Sequence, residues 1–160
     1  MHTGSLIMGI TGDEFRLDAA TISDTVNTAA RIESLTKYYK SPLLLSMDTF
    51  VHLNDSHPYQ LRQLGSVRLK GKNNLLTIIE CINGFNEEQL ERKLETLSLF
   101  NEAMNSYHDQ QFANAIRFFQ TILTTDPEDL TAKFFMENAT KYLQEGIPEN
   151  WTGAEEMLSK

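Results

Sequence analysis

Short apolar runs separated by turn residues occupy the first half of the chain, and a helical period replaces them in the second. Ser5-Leu6-Ile7-Met8-Gly9-Ile10 reads as a buried strand. Thr11-Gly12-Asp13-Glu14 is a turn signal and Phe15 to Ile22 a second strand, so residues 4–22 are predicted to form a β-hairpin. Ser23-Asp24 opens a helix: a Ser hydroxyl accepts from free backbone amides, and an early Asp suits the positive helix end. Val26, Ala30, Ile32 and Leu35 are its apolar stripe, and Pro42 stops it after about Lys40. Leu43-Leu44-Leu45 is a strand and Asp48 to Leu53 a short helix. Tyr59 to Leu64, Val67 to Lys70 and Leu75 to Ile82 are further strands. Three helices follow: Glu87 to His108, Gln111 to Thr124 and Glu128 to Gln144.

Charge changes this picture. The chain has 160 residues with 14 Lys and Arg against 22 Asp and Glu, a net charge of −8. Residues 1–83 are neutral, and the whole acidic excess lies in residues 84–160. That asymmetry, with the turn-rich Asn83-Gly84-Phe85-Asn86, predicts two units, 1–84 and 85–160. An acidic chain argues against nucleic acid and anionic membrane as partners. No apolar run approaches the roughly 20 residues of a membrane span, and no signal-peptide pattern is visible. The single cysteine, Cys81, excludes an internal disulfide and fits a reducing compartment, so a cytoplasmic location is expected.

In the second half, Leu99, Ala103, Tyr107, Phe112, Ala115, Phe119, Ile122 and Pro127 alternate large and small residues over two predicted helices. This spacing resembles a tetratricopeptide repeat, with residues 129–145 as the first helix of a second unit. Glu102 departs from the pattern, which has an apolar residue there, and a plain helical hairpin would share many of these features. So few repeats rarely stand alone. The helices are therefore expected to pack on the first unit or on another copy, and residues 87–145 are a candidate surface for a protein partner.

The segment that carries chemistry is residues 16–35. Asn27 and Arg31 are four apart on the predicted helix, hence on one face and one turn apart. An amide beside a guanidinium can read a ribose and a phosphate, and the Arg fork suits charge developing on a phosphoryl oxygen. Spacing alone also fits a solvated helix face. The run Asp24-Thr25-Val26-Asn27-Thr28-Ala29-Ala30-Arg31-Ile32-Glu33-Ser34, however, resembles the signature helix of the class III nucleotidyl cyclases, the adenylate and guanylate cyclases. His2-Thr3-Gly4-Ser5 to Gly9-Ile10-Thr11-Gly12 resembles the hairpin before it, and Val67-Arg68-Leu69-Lys70-Gly71-Lys72 the family's Lys-Gly near the triphosphate.

The resemblance implies the C-terminal half of a ferredoxin-like cyclase domain within an α+β fold, followed by the helical segment. It implies cyclisation of a nucleoside triphosphate, with the 3′-hydroxyl attacking the α-phosphate in line and pyrophosphate leaving. Two divalent metals, Mg or Mn, belong to the complete site of such a dimer. By resemblance, Asn27 orients the ribose, Arg31 stabilises charge on the α-phosphate and Lys70 holds the terminal phosphates; a solvent-facing turn lysine is the other reading of Lys70. Departures accompany the matches. The family's metal aspartates and its base-selecting lysine lie upstream of this segment, and Asp13, Asp18 and Asp24 correspond to neither metal ligand. The base-selecting partner falls on Ala20, whose methyl offers a purine no hydrogen bond, and Ser23 stands where a Gly is common. ATP, giving cyclic AMP, is favoured over GTP on family frequency alone. This chain by itself is expected to bind no metal in the family's manner, to be inactive alone, and to leave a sheet edge or apolar face open for a homodimer partner or the missing half. The alternative is a non-catalytic dimerisation or regulatory module whose helices bind a protein.

Other candidates reduce to structure. Gly4, Gly9 and Gly12 are followed by no Gly-Lys-Ser/Thr, so no P-loop is present. His2, His52, His57 and His108 have no metal-ligand spacing with Cys81, which is expected in the core. Trp151 is expected to dock on the helices as an apolar plug.

Overall fold

A computed structural model describes residues 1–12, 17–54, 56–69, 75–148, 151 and 153–157. In chain order these form β1 (Ile7–Gly12), β2 (Leu17–Ile22), α1 (Asp24–Tyr39), β3 (Leu44–Ser46), α2 (Met47–Phe50), β4 (Leu61–Leu69) and β5 (Leu75–Cys81). After a 3-10 turn at Ile82–Gly84 come α3 (Glu87–Glu95), α4 (Leu97–His108), α5 (Phe112–Thr125), α6 (Leu130–Glu145) and β6 (Ala154–Met157). β1 and β2 form a two-stranded antiparallel sheet of their own. The main sheet has the order β3-β5-β4-β6, antiparallel except for the parallel β4–β6 pair. The fold is α+β, as expected.

Side-chain alternation explains which face of the main sheet meets the helices. Arg62 and Leu64 point to the core on β4, but after Gly65 the buried positions are Val67 and Leu69, so the phase shifts by one residue. A β-bulge between Gln63 and Gly65 makes that shift, with Gly65 at φ +109°. A Cβ on Gly65 would stand 2.6 Å from His108 Cε1, so the bulge also lets the end of α4 seat on the strand. The two strands expected at Tyr59–Leu64 and Val67–Lys70 are therefore one, because the glycine bends the ladder without ending it.

Two further expectations are corrected. The apolar stripe of α1 is Thr28, Ile32, Leu35 and Tyr39, whereas Val26 and Ala30 face outward. Two residues of helix turn about 200°, which puts that pair opposite the buried row. The helix expected over Glu87 to His108 breaks at Thr96, a buried residue whose hydroxyl donates back to the Arg92 carbonyl at 3.1 Å, in competition with the regular ladder. Strand β6 was not foreseen, since Ala154-Glu155-Glu156-Met157 has neither alternation nor β-branched residues.

One apolar core runs through both halves. Ile32, Leu35 and Tyr39 of α1 and Leu64 and Ile78 of the sheet join Phe100, Phe119 and Phe135 of the helices. The helices thus pack on the first half of the chain. Ala103, Ala115, Ala132 and Ala139 are fully buried, and these small side chains let α4, α5 and α6 approach closely. Trp151 docks as expected, edge-on to Tyr107, Phe112 and Tyr142 with centroids 5.6–5.9 Å away. A smaller cluster, Leu45, Ile79 and Cys81, lies on the opposite face of the sheet.

Within the core sits a charge network. Arg62 and Glu80 are direct cross-strand partners on the core face, and both are fully buried. Arg62 Nε donates to Glu80 Oε2 at 2.6 Å, and its Nη1 to Asp129 Oδ2 at 2.7 Å. The Phe100 ring covers the guanidinium at 3.9 Å. Asp129 also caps α6, its Oδ1 accepting from Ala132 N at 3.0 Å, and it pairs with Lys93 Nζ at 3.0 Å. Lys93 in turn lies 3.7 Å from Asp126, whose other oxygen accepts from Arg92 Nε at 3.2 Å.

Removing one member of such a network strands the others away from water. Arg62→Leu should lower the unfolding free energy by about 3–5 kcal/mol in urea denaturation, and a loss under about 1 kcal/mol would contradict full burial of the pair. Asp129 supplies the pH dependence. Burial acts to raise its pKa, but the charge and hydrogen bonds of Arg62, then Lys93 and the Ala132 amide, outweigh it and hold the value at about 2, below the 3.8 of a free side chain. A depressed carboxylate stabilises the fold above its unfolded value, and that contribution is lost as pH falls through the folded one. Between pH 4 and 2 the protein should lose on the order of 2 kcal/mol through this group, and Asp129→Asn should show an acid limb flatter by that amount in pH-dependent denaturation.

Candidate functional site

Helix α1 presents the candidate pair. Ser23 is its N-cap, in extended conformation, with Oγ accepting from Val26 N at 3.1 Å. At the other end Lys40 takes the left-handed conformation, φ 57°, and its N–H bonds Thr36 O. Between these caps Asn27 and Arg31 are both exposed, one turn apart, flanking the buried Thr28–Ile32 row. The helix is therefore fixed along one face, and the two residues lie exposed on its flank.

The segment before the hairpin is laid against the start of this helix. Thr25 Oγ1 donates to Ser5 O at 2.5 Å, and a Cβ on Gly4 would stand 2.7 Å from that same Oγ1. Gly4 is thus required by close approach of the chain to α1. His2 and Thr3 bond into the β3–α2 corner: His2 Nδ1 lies 2.8 Å from Ser46 Oγ, and Thr3 Oγ1 donates to Thr49 Oγ1 at 3.2 Å. The motif residues around Gly4 brace α1 between its own hairpin and the main sheet.

Ala20 lies on β2, directly opposite Gly9 in the hairpin register and three residues before the N-cap. Lys70 lies outside the described residues, as does Asp13. Asn27 and Arg31 are brought together, and Ala20 enters on the adjoining strand.

Among the described residues no group of three or more His, Cys, Asp or Glu side chains is placed to hold a metal ion. The donor set described does not fit the two-metal chemistry implied by the motif. The histidines have local partners instead: His52 Nδ1 lies 2.6 Å from Asp48 O, and His57 stacks on Tyr59. His108 packs on the Gly65 bulge, and burial pushes its pKa below the ordinary imidazole value, offset only in part by Asp109. Cys81 is buried, and that burial raises its thiol pKa, which removes it as a nucleophile.

Two clefts of about 240 and 230 Å³ are lined respectively by Gln63, Asn101, Met104, Asn105 and His108, and by Leu99, Asn114, Arg117, Phe118 and Thr121. Neither is lined by α1. Apolar exposure is concentrated on β1, where Ile7, Met8 and Ile10 are 76%, 71% and 76% exposed. Ile7 and Met8 are adjacent, so both faces of this strand are open, against the buried strand expected from its apolar run.

The residues missed by the sequence reading are Arg62, Glu80, Lys93, Asp126 and Asp129. Glu80 carried a visible signal, since it falls in phase with Ile78 inside the apolar run Leu75 to Ile82.

The chain is 28% identical over 145 residues to a Dictyostelium discoideum protein, "Adenylate cyclase, terminal-differentiation specific", covering 90% of this chain and 7% of that protein. It is 37% identical over 81 residues to an "Adenylate cyclase" of Anabaena cylindrica, covering 50% of this chain and 16% of the relative. It is 33% identical over 82 residues to "Adenylate cyclase 1" of Rhizobium meliloti (strain 1021), covering 51% and 12%. The chain thus spans a small part of each curated relative it matches. The Dictyostelium match is long enough to reach beyond the hairpin and sheet into the helices. Residues 1–80, the stretch that builds the hairpin, α1 and nearly all of β3 to β5, match the adenylate and guanylate cyclase catalytic domain, and the chain belongs to that family.

Proposed function

We propose that this chain supplies the Asn/Arg side of a nucleotidyl cyclase active site in cyclic-nucleotide signalling, with ATP as the favoured nucleotide. The observation that carries this reading is the exposure of Asn27 and Arg31 on one flank of a doubly capped helix inside the family-matched segment. In the reaction the nucleotide O3′ forms a bond to the α-phosphorus, the bond to the bridging oxygen of pyrophosphate breaks, and the 3′-hydroxyl proton leaves. Asn27 holds the ribose so that its 3′ oxygen lies in line. Arg31 donates to the α-phosphate as negative charge accumulates there. Lys70 holds the terminal phosphates, and Ala20 stands at the base-selecting position. The names of the three relatives support the choice of ATP, since each is called an adenylate cyclase.

In this reading residues 1–84 are the C-terminal half of a catalytic domain, and Mg or Mn comes with carboxylates outside this segment. The partner is the other half or a second copy, and the assembly is cytoplasmic. Residues 85–160 are a tetratricopeptide-like helical unit that offers a surface to a protein. Complementation tests the catalytic role. The chain is mixed with a cyclase catalytic domain whose own Asn/Arg pair has been replaced by alanine, and cyclic AMP is measured. The unaltered chain should restore turnover, and Arg31→Ala should lower it by about 10²–10³-fold, the usual effect of a lost transition-state donor. Equal rates with and without Arg31 would sink the assignment.

The open strand β1 favours a second role, as a dimerisation module. Ile7, Met8 and Ile10 expose apolar surface on a two-stranded sheet, which is marginal alone in water. The purified chain should self-associate in size-exclusion chromatography with light scattering, and Ile7→Lys with Ile10→Lys should shift it to monomer. A chain that is monomeric without these changes counts against this role.

A further inference from the structure

We infer that the helical half sets the position of α1, and with it of Asn27 and Arg31, through one buried polar junction at Thr131, which is therefore a positioning residue. The inference rests on the catalytic reading of that pair for its consequence, but not for its geometry. The last carbonyls of any α-helix lack partners within the helix. At the end of α1, the Tyr39 carbonyl accepts from Thr131 Oγ1 of α6 at 3.0 Å, a contact between residues 92 apart in sequence and fully buried. The same hydroxyl oxygen lies 3.2 Å from Glu80 Oε1. Its single proton is shared between the end of α1 and the charge network.

The junction is doubly anchored on the helical side. Thr131 follows Asp129, the N-cap of α6, whose carboxylate is held by Arg62 and Lys93. Around it Tyr39 stacks on Phe135 at 5.8 Å, and Phe134 packs edge-on to Tyr38 at 4.8 Å and Tyr39 at 5.5 Å. The Phe134–Tyr38 contact lies on the flank of α1 that carries Arg31, since Tyr38 follows it by seven residues, two helical turns. Arg31 stands eight residues before Tyr39, roughly 12 Å along a rigid helix. A shift of α6 relative to β5 must therefore reach Arg31 as a shift or tilt of α1. Whatever binds the outer face of the helices has in this junction a physical route to the site.

The test uses the full chain with Thr131→Val, which keeps shape and removes the hydroxyl, and Thr131→Ser, which keeps the hydroxyl. Amide hydrogen exchange is read for α1, α4 and α5. Thr131→Val should speed exchange in the second half of α1 by about tenfold, the scale of one lost buried hydrogen bond, with α4 and α5 unchanged. Thr131→Ser should match the unaltered chain. Unchanged exchange in α1, uniform acceleration of all three elements, or a Ser variant that behaves like Val would overturn the junction. If Thr131→Val does not fold, Thr131→Ala replaces it, since it also removes the hydroxyl and adds no bulk. The functional half is read in the complementation assay. Where Arg31→Ala lowers turnover, Thr131→Val should lower kcat several-fold with KM within about twofold, the pattern of a misplaced transition-state contact. A loosened α1 with unchanged kcat overturns the link to catalysis. An Arg31→Ala variant with full turnover overturns the catalytic reading itself, and exchange alone then decides the junction.

Discussion

The structure depends on a guanidinium buried where two strands and three helices meet. Arg62 is fully enclosed, and moving such a charge out of water is costly unless every donor is used. Its partners come from distant parts of the chain: Glu80 from the neighbouring strand and Asp129 from the cap of α6. Burial alone acts to lower the Arg62 pKa, and the two carboxylates reverse this, so that the value is raised. The sheet and helices are thereby held in one arrangement, because a displaced helix would leave buried charges without counterparts. The apolar core contributes the larger driving force but is far less selective about geometry.

This constraint connects the two halves, which differ so sharply in charge. The net −8 of the helical half is carried largely on its surface, where Arg92 draws Glu88 and Glu128 together. Such exposed pairs add little stability. Inside, Arg62 and Lys93 stand against Glu80, Asp126 and Asp129 with Arg92 at the margin, three cations and three anions. The buried part is balanced, and the excess charge is left to water. Similarity to the Dictyostelium protein extends into the helices, which accords with a helical half structurally bound to the sheet.

Local signals made much of the fold legible. Ser23 and the left-handed Lys40 bracket α1 within a residue of the expected helix, because capping is a contest among neighbours in sequence. Strand β5 followed from its apolar run. Gly65 misled, since the same residue serves as a turn signal and as a bulge, and only the adjoining strand and His108 distinguish the two. Thr96 misled for a related reason: its hydroxyl can cap, bend or ignore a helix, according to what its neighbours need. Strand β6 has no periodicity to read; it is defined by the open edge of β4.

The candidate site divides in the same way. The identity and one-turn spacing of Asn27 and Arg31 were determined by the sequence alone, because helical period depends only on local backbone geometry. So was the resemblance that gives the pair a chemistry. The tertiary structure decided which flank of α1 is buried, why Gly4 must lack a side chain, and that Thr131, 92 residues from Tyr39, holds the end of the helix. Contacts of that kind follow from how the elements pack, and packing is a property of the whole chain that no window of sequence contains.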